Sequence, residues 1–126
     1  MSLRYHIDPE GAMLHVVGEG EITQAERLET MRSWLSHPDF RLGLDTLCDF
    51  SDATSAPDSA ELSEIVALIK ERAASIGNKK LAMIATRPIT FGSARQFQAL
   101  TRSSPLHVQV FEDRETALTW LRGEKH

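Results

Sequence analysis

Cysteine is almost missing from this chain. The single thiol, Cys48, excludes an internal disulfide framework and a cysteine-based zinc site. Long apolar runs are missing as well. A stretch such as Leu81-Ala82-Met83-Ile84-Ala85 falls far short of the roughly 20 residues that cross a bilayer. The opening residues lack a basic segment followed by an apolar one, so no secretory leader is read there. The expectation is a cytoplasmic protein that does not span a membrane. Dense basic runs are also absent, and 14 Lys and Arg against 18 Asp and Glu leave a net charge of −4. Nucleic-acid binding needs many phosphate-neutralising cations on one surface, so no nucleic-acid partner is expected. Finally, the chemical signatures are lacking. The five histidines show neither His-x-x-x-His nor His-Glu-x-x-His spacing, which predicts no metal site. Gly18-Glu19-Gly20 lacks the third glycine of a dinucleotide fingerprint, and no nucleophile elbow or phosphate-binding loop occurs. These absences predict a protein that is not an enzyme and carries no cofactor.

What is present is an ordinary globular composition. Hydrophobic residues make up 41% and charged residues 25% of 126, which fits one domain over residues 1–126. Charge is unevenly spread: residues 1–63 hold 4 basic against 12 acidic side chains, and residues 64–126 hold 10 against 6. Solvated helix faces account for this, and an anion-binding end or two faces that pair in a dimer are the alternatives.

Local patterns give the order of elements. Leu3 to Ile7 and Met13 to Val17 read as strands about a turn at Asp8-Pro9-Glu10-Gly11, hence a hairpin. The expected register sets Leu3, Tyr5 and Ile7 on one face with Met13, His15 and Val17, leaving His6 and His15 on opposite faces. Thr23-Gln24-Ala25-Glu26 is a capping box opening a helix with Ala25, Leu28, Met31 and Leu35 inward, ended at His37-Pro38. Leu44–Phe50 reads as a buried strand, followed by a polar loop. The second helix carries Leu62, Ile65, Val66, Ile69, Ala73 and Ile76 and closes at Gly77-Asn78. Leu81–Ala85 is a short strand. A third helix turns Phe91, Ala94, Phe97 and Leu100 inward. Leu106–Phe111 is the last strand, and Asp113 caps a final helix. The order ββαβαβαβα predicts an α/β fold: a five-stranded mixed sheet, mainly parallel, covered by helices, with the first strand antiparallel at an edge.

That order resembles the SpoIIAA-like fold of STAS domains, and over Tyr5 to Leu121 the chain is similar to small bacterial proteins of the SpoIIAA-like or STAS/Sec14 type, largely of unknown function. The residues behind the resemblance are Tyr5-His6-Ile7-Asp8, Gly18-Glu19-Gly20, Asp39-Phe40-Arg41, Cys48-Asp49-Phe50-Ser51-Asp52, the segment Phe91 to Phe97, and Val110-Phe111-Glu112-Asp113 leading to Ala117–Leu121. The resemblance implies a regulatory or binding module. Related anti-anti-sigma factors are phosphorylated on a serine in an Asp-Ser-(Ser/Thr)-Gly motif, which falls here on Asp58-Ser59-Ala60-Glu61. Ser59 is thus the phosphoacceptor candidate, although Ala60 and Glu61 depart from the motif. Glu61 would oppose a phosphate, and Asp58-x-x-Glu61 is itself a capping pair.

Ligands of open parallel sheets bind beyond the carboxyl ends of the strands. Those ends offer Asp49, Ser51, Asp52, Arg87, Thr90, Ser93 and Arg95 as ligand-binding candidates, with helix capping and Arg–Asp pairing as the alternative. Cys48 reads as a buried, inert thiol. The function expected is a non-catalytic module acting through protein–protein contacts, as a homodimer or with a protein partner. The alternative, which the Sec14-type resemblance implies, is a carrier of a small amphipathic or anionic ligand such as a lipid. Trp34, Phe40 and Trp120 are candidate interface anchors.

Overall fold

The computed structural model describes residues 2–8, 10 and 13–123. Along the chain run β1 (Leu3–Asp8), β2 (Met13–Gly20), α1 (Gln24–Leu35), β3 (Asp45–Ala53), α2 (Ser59–Glu71), α3 (Ala73–Ile76), β4 (Lys79–Ile84), α4 (Pro88–Leu100), β5 (Leu106–Phe111) and α5 (Arg114–Leu121). The strands form one sheet in the order β1-β2-β3-β4-β5. The β1–β2 pair is antiparallel at the edge, and the other three pairs are parallel. The expected mixed five-stranded sheet is therefore present.

The hairpin register differs from expectation. Tyr5 faces Val16, Ile7 faces Leu14 and His6 faces His15, one residue away from the pairing read in the sequence. A one-residue slip exchanges every side chain between faces. The pattern could not settle it, because β2 is apolar on both faces. The result seats Leu14 and Val16 in the core with Leu3. It also stacks His6 on His15, with ring centroids 4.7 Å apart, instead of separating them. Pro9 and Gly11 of the expected turn lie outside the described residues.

Caps set the helix starts. Thr23, Asp58 and Asp113 each accept the backbone N–H three residues on. Asp58 and Glu61 complete a reciprocal capping box. At Thr23 the box is only half made, since the Glu26 carboxylate accepts the Leu3 N–H at 2.9 Å and so ties α1 to β1. The second helix is broken at Arg72 into α2 and α3, and Gly77, at a φ of 68°, ends the latter in a conformation that favours glycine.

Two cores result. One face of the sheet packs against α1, α2 and α4, with Val16, Cys48, Leu62, Ile69, Phe97 and Val108 buried there. On the other, α5 lies over β4 and its neighbours, enclosing Leu47, Ala82, Ile84, Ala117 and Leu121. Two helix faces agree with expectation in part: Leu28, Met31 and Leu35 of α1 and Ala94 and Phe97 of α4 pack into the core. On α1 the buried residues are Arg27, Thr30 and Met31, with Ala25 exposed. On α4, Leu100 is 39% exposed, and Thr101 takes the buried position beyond it. No helix among the described residues is long and apolar enough to cross a membrane.

Candidate functional site

The residues expected to form one anion site are dispersed. Asp49 Oδ1 accepts both the N–H and the hydroxyl of Ser51, and Arg114 lies 3.8 Å from the other carboxylate oxygen. That pair is therefore occupied locally. Asp52, Arg87 and Arg95 are exposed, and neither arginine makes an ion pair among the described residues. Thr90 and Ser93 turn inward instead. The Thr90 hydroxyl donates to the Arg87 carbonyl at 3.0 Å, and the Ser93 hydroxyl to the Pro57 carbonyl at 3.0 Å. Ser59 is exposed at the start of α2, where its hydroxyl accepts from the Gln96 amide at 2.9 Å. Capping of α2 belongs to Asp58.

Thr90 and Ser93 lead to a feature that sequence patterns did not announce. Between the sheet and the α1, α2 and α4 layer lies a cavity of about 140 Å³. Val16, Cys48, Leu81 and Met83 form its floor, while Met31, Leu62, Ile65 and Phe97 are among its roof residues. Loop residues Ser55, Ala56 and Pro57 line one end. The walls are mostly apolar; the polar lining residues are Ser55, Thr90, Ser93 and two cations, Arg27 and Lys79, each 9% exposed.

These two cations are held differently. Arg27 donates to Gln24 Oε1 at 3.2 Å and faces Glu61 at 3.7 Å, so it ties α1 to the start of α2. Gln24 extends that tie by donating to the Glu61 carbonyl at 3.0 Å. Lys79 has no carboxylate partner among the described residues. Its ammonium donates to Thr46 Oγ1 at 2.9 Å and sits 5.4 Å from the centre of the Phe40 ring. Burial lowers its pKa to about 8, because a desolvated ammonium is disfavoured. Burial acts oppositely on the neighbouring Cys48 thiol, pushing it up to about 12, so Cys48 is the inert thiol expected. On the other side of the sheet, burial and the adjacent His6 lower the pKa of His15. No group of three or more metal-ligating side chains occurs among the described residues.

Arg27 and Lys79 were each legible in part. Lys79, Leu81 and Met83 alternate, so a strand starting two residues earlier than Leu81 turns the lysine inward. Arg27 stands one turn before Met31 and Thr30, on the face that α1 buries.

No protein-family model matches this sequence, and no curated protein does. Among solved structures the chain is similar to an uncharacterized protein of the DUF3478 family with a SpoIIAA-like fold from Shewanella loihica PV-4. The TM-score is 0.62 at 16% identity, over 95% of this chain and 94% of that one. The protein is thus a small α/β protein with a SpoIIAA-like fold. At such identity the likeness carries the fold alone, and function has to be argued from the site.

Proposed function

We propose that this protein is a non-catalytic cytoplasmic binding module that takes a small amphipathic ligand into the cavity between its sheet and its α1, α2 and α4 layer. The cavity carries the reading: native cores are close-packed, so an apolar void of about 140 Å³ forfeits packing that a ligand would restore. Its size limits the guest. An engineered apolar cavity of roughly 150 Å³ binds benzene, so a single short chain or one ring fits and a two-chain lipid does not. Native mass spectrometry of freshly purified protein tests for a resident small molecule. Titration with 1-hexanol, followed through the methyl signals of Leu62, Ile65 and Met83, tests uptake directly. Shifts confined to the cavity residues support the reading, and unchanged methyl signals overturn it.

A second reading, association through protein contacts, is favoured by the open half of the sheet. The α5 helix lies over β3, β4 and β5, while β1 runs along an edge. Arg4, His6, Met13, His15 and Val17 occupy the β1–β2 part of that face. The three aromatics considered as anchors are engaged within the chain: Trp34 with Tyr5, Phe40 with Lys79, and Trp120 with His107 and Phe111. A homodimer or a protein partner would therefore use the open sheet face or the β1 edge. Sedimentation at micromolar concentration distinguishes them: a species of twice 14.1 kDa supports the homodimer, and a single 14.1 kDa species unchanged on dilution removes it.

A further inference from the structure

We propose that the ligand is a small monocarboxylate, its apolar body filling the cavity and its carboxylate paired with the Lys79 ammonium. The proposal rests on the cavity reading above and adds the chemical class of the guest. An ammonium carries three donors. The protein supplies Lys79 with one acceptor, Thr46 Oγ1, and with the ring face of Phe40. The Thr46 hydroxyl in turn donates to the Leu44 carbonyl at 3.3 Å, so it is oriented to receive the lysine. The nearby Asp45 attracts the Lys79 charge through space without closing an ion pair, its carboxylate accepting the Lys80 N–H at 2.9 Å.

A buried charge with no counter-ion is costly unless a partner of opposite sign reaches it. Arg27 and Lys79 line the cavity, and among the described residues no carboxylate lies at ion-pair distance from Lys79, while Glu61 serves Arg27 and the α2 cap. Charge complementarity therefore selects an anion at the Lys79 end. The apolar walls select a hydrocarbon body of about six carbons, by comparison with the benzene-sized void. A carboxylate meets both demands at least desolvation, because one charge-assisted contact neutralises it inside an otherwise apolar site. Arg27 stays a structural tie. Its guanidinium is already engaged on α1 and α2, and it does not need the ligand.

The test compares hexanoate with 1-hexanol, equal in length and different in charge, by calorimetric titration at pH 7 against the full chain. The expected result is at least tenfold tighter binding of hexanoate. In Lys79→Met that preference disappears while hexanol binds as before, and Lys79→Gln gives the same outcome with a polar, uncharged side chain. Equal affinity of the two probes for the unmodified protein overturns the carboxylate proposal and leaves the cavity reading standing. So does a hexanoate preference that survives in both variants. Failure of both probes to bind overturns the cavity reading and this proposal together.

Discussion

The two faces of the sheet use the same kinds of side chain and reach different packing. Under α5, the small residues Ala82 and Ala117 are wholly buried among Leu47, Ile84 and Leu121, so the helix comes close to the strands. On the opposite face, larger side chains such as Leu62, Ile65 and Phe97 roof a cavity. Polar ties position the helices on both faces. The α5 helix is seated by apolar contacts and by polar ties at both ends, Arg114 to Asp49 at 3.8 Å and the Lys80 ammonium to the Trp120 carbonyl at 3.0 Å. The layer of α1, α2 and α4 is fixed at its rim by polar ties: Glu26 to the Leu3 N–H, Gln24 and Arg27 to Glu61, Ser93 to Pro57, and Gln96 to Ser59. Small residues at the α5 contact let helix and sheet approach, whereas the bulkier side chains of the other layer hold its helices further from the sheet.

The largest expected effect tests the tight face. Leu47→Ala should cost about 2–5 kcal/mol, because the removed side chain is fully buried. Urea denaturation measures it, and a cost below about 1 kcal/mol would mean that the α5 side is loosely packed too.

The next tests the charge on the open face. The Lys79 pKa falls from 10.5 free to about 8 folded, so between those values the unfolded chain binds more protons than the folded one. Stability contributed through this group therefore rises with pH across that window, and the full burial penalty applies below about pH 8. The penalty is on the order of 3 kcal/mol, taking about 1.4 kcal/mol for each pKa unit. Lys79→Met should accordingly be more stable than the parent at pH 7, with the advantage shrinking towards pH 10.5. Cys48 acts in the opposite sense, since its folded pKa of about 12 exceeds the free value of 9.0 and stability falls as pH rises past that value. Lys79 itself lowers the Cys48 pKa, so the difference between the two proteins reports the lysine most directly below pH 9.0, where the thiol is protonated in both states. A difference independent of pH would show that the ammonium is not desolvated.

A matched pair of enlargements sharpens the contrast between the faces. Ala117→Leu adds bulk where none fits and should cost about 1–3 kcal/mol. Ala94→Leu adds the same atoms to α4 at the cavity wall and should cost less than about 1 kcal/mol while abolishing hexanol uptake. Equal costs for the two would erase the distinction.

Much of this architecture is legible in the residues. Every strand carries its apolar pattern, β5 matches the expected Leu106–Phe111, and the caps at Thr23, Asp58 and Asp113 set three helix starts. The hairpin parity is not legible, because Met13 and Val17 compete with Leu14 and Val16 as core residues and only the helix layer decides between them. The inward faces of α1 and β4 are obscured for another reason. Arg27 and Lys79 carry long apolar stems that pack like hydrophobic residues while their charge marks them as surface. The cavity is a property of how three helices are held, and no local pattern encodes a gap.

The smallest expected effect concerns the start of α2, where the rim ties converge. Asp58 accepts the Glu61 N–H at 2.8 Å and Glu61 returns the bond to the Asp58 N–H at 3.0 Å, satisfying two donors that the helix leaves unpaired. Asp58→Ala should cost about 1 kcal/mol by removing the capping acceptor. Ser59 is not the cap, so Ser59→Ala removes only an exposed bond from Gln96 and should cost a few tenths of a kcal/mol. The same geometry opposes phosphorylation of Ser59. A phosphate there would stand within a turn of Glu61, whose carboxylate already serves both the cap and Arg27, and the two anions would repel. Intact-mass measurement of protein from its native cell is expected to find no phosphate on Ser59. A phosphorylated fraction, together with a cost for Ser59→Ala equal to that of Asp58→Ala, would instead make this corner of the rim a regulated latch on the cavity face.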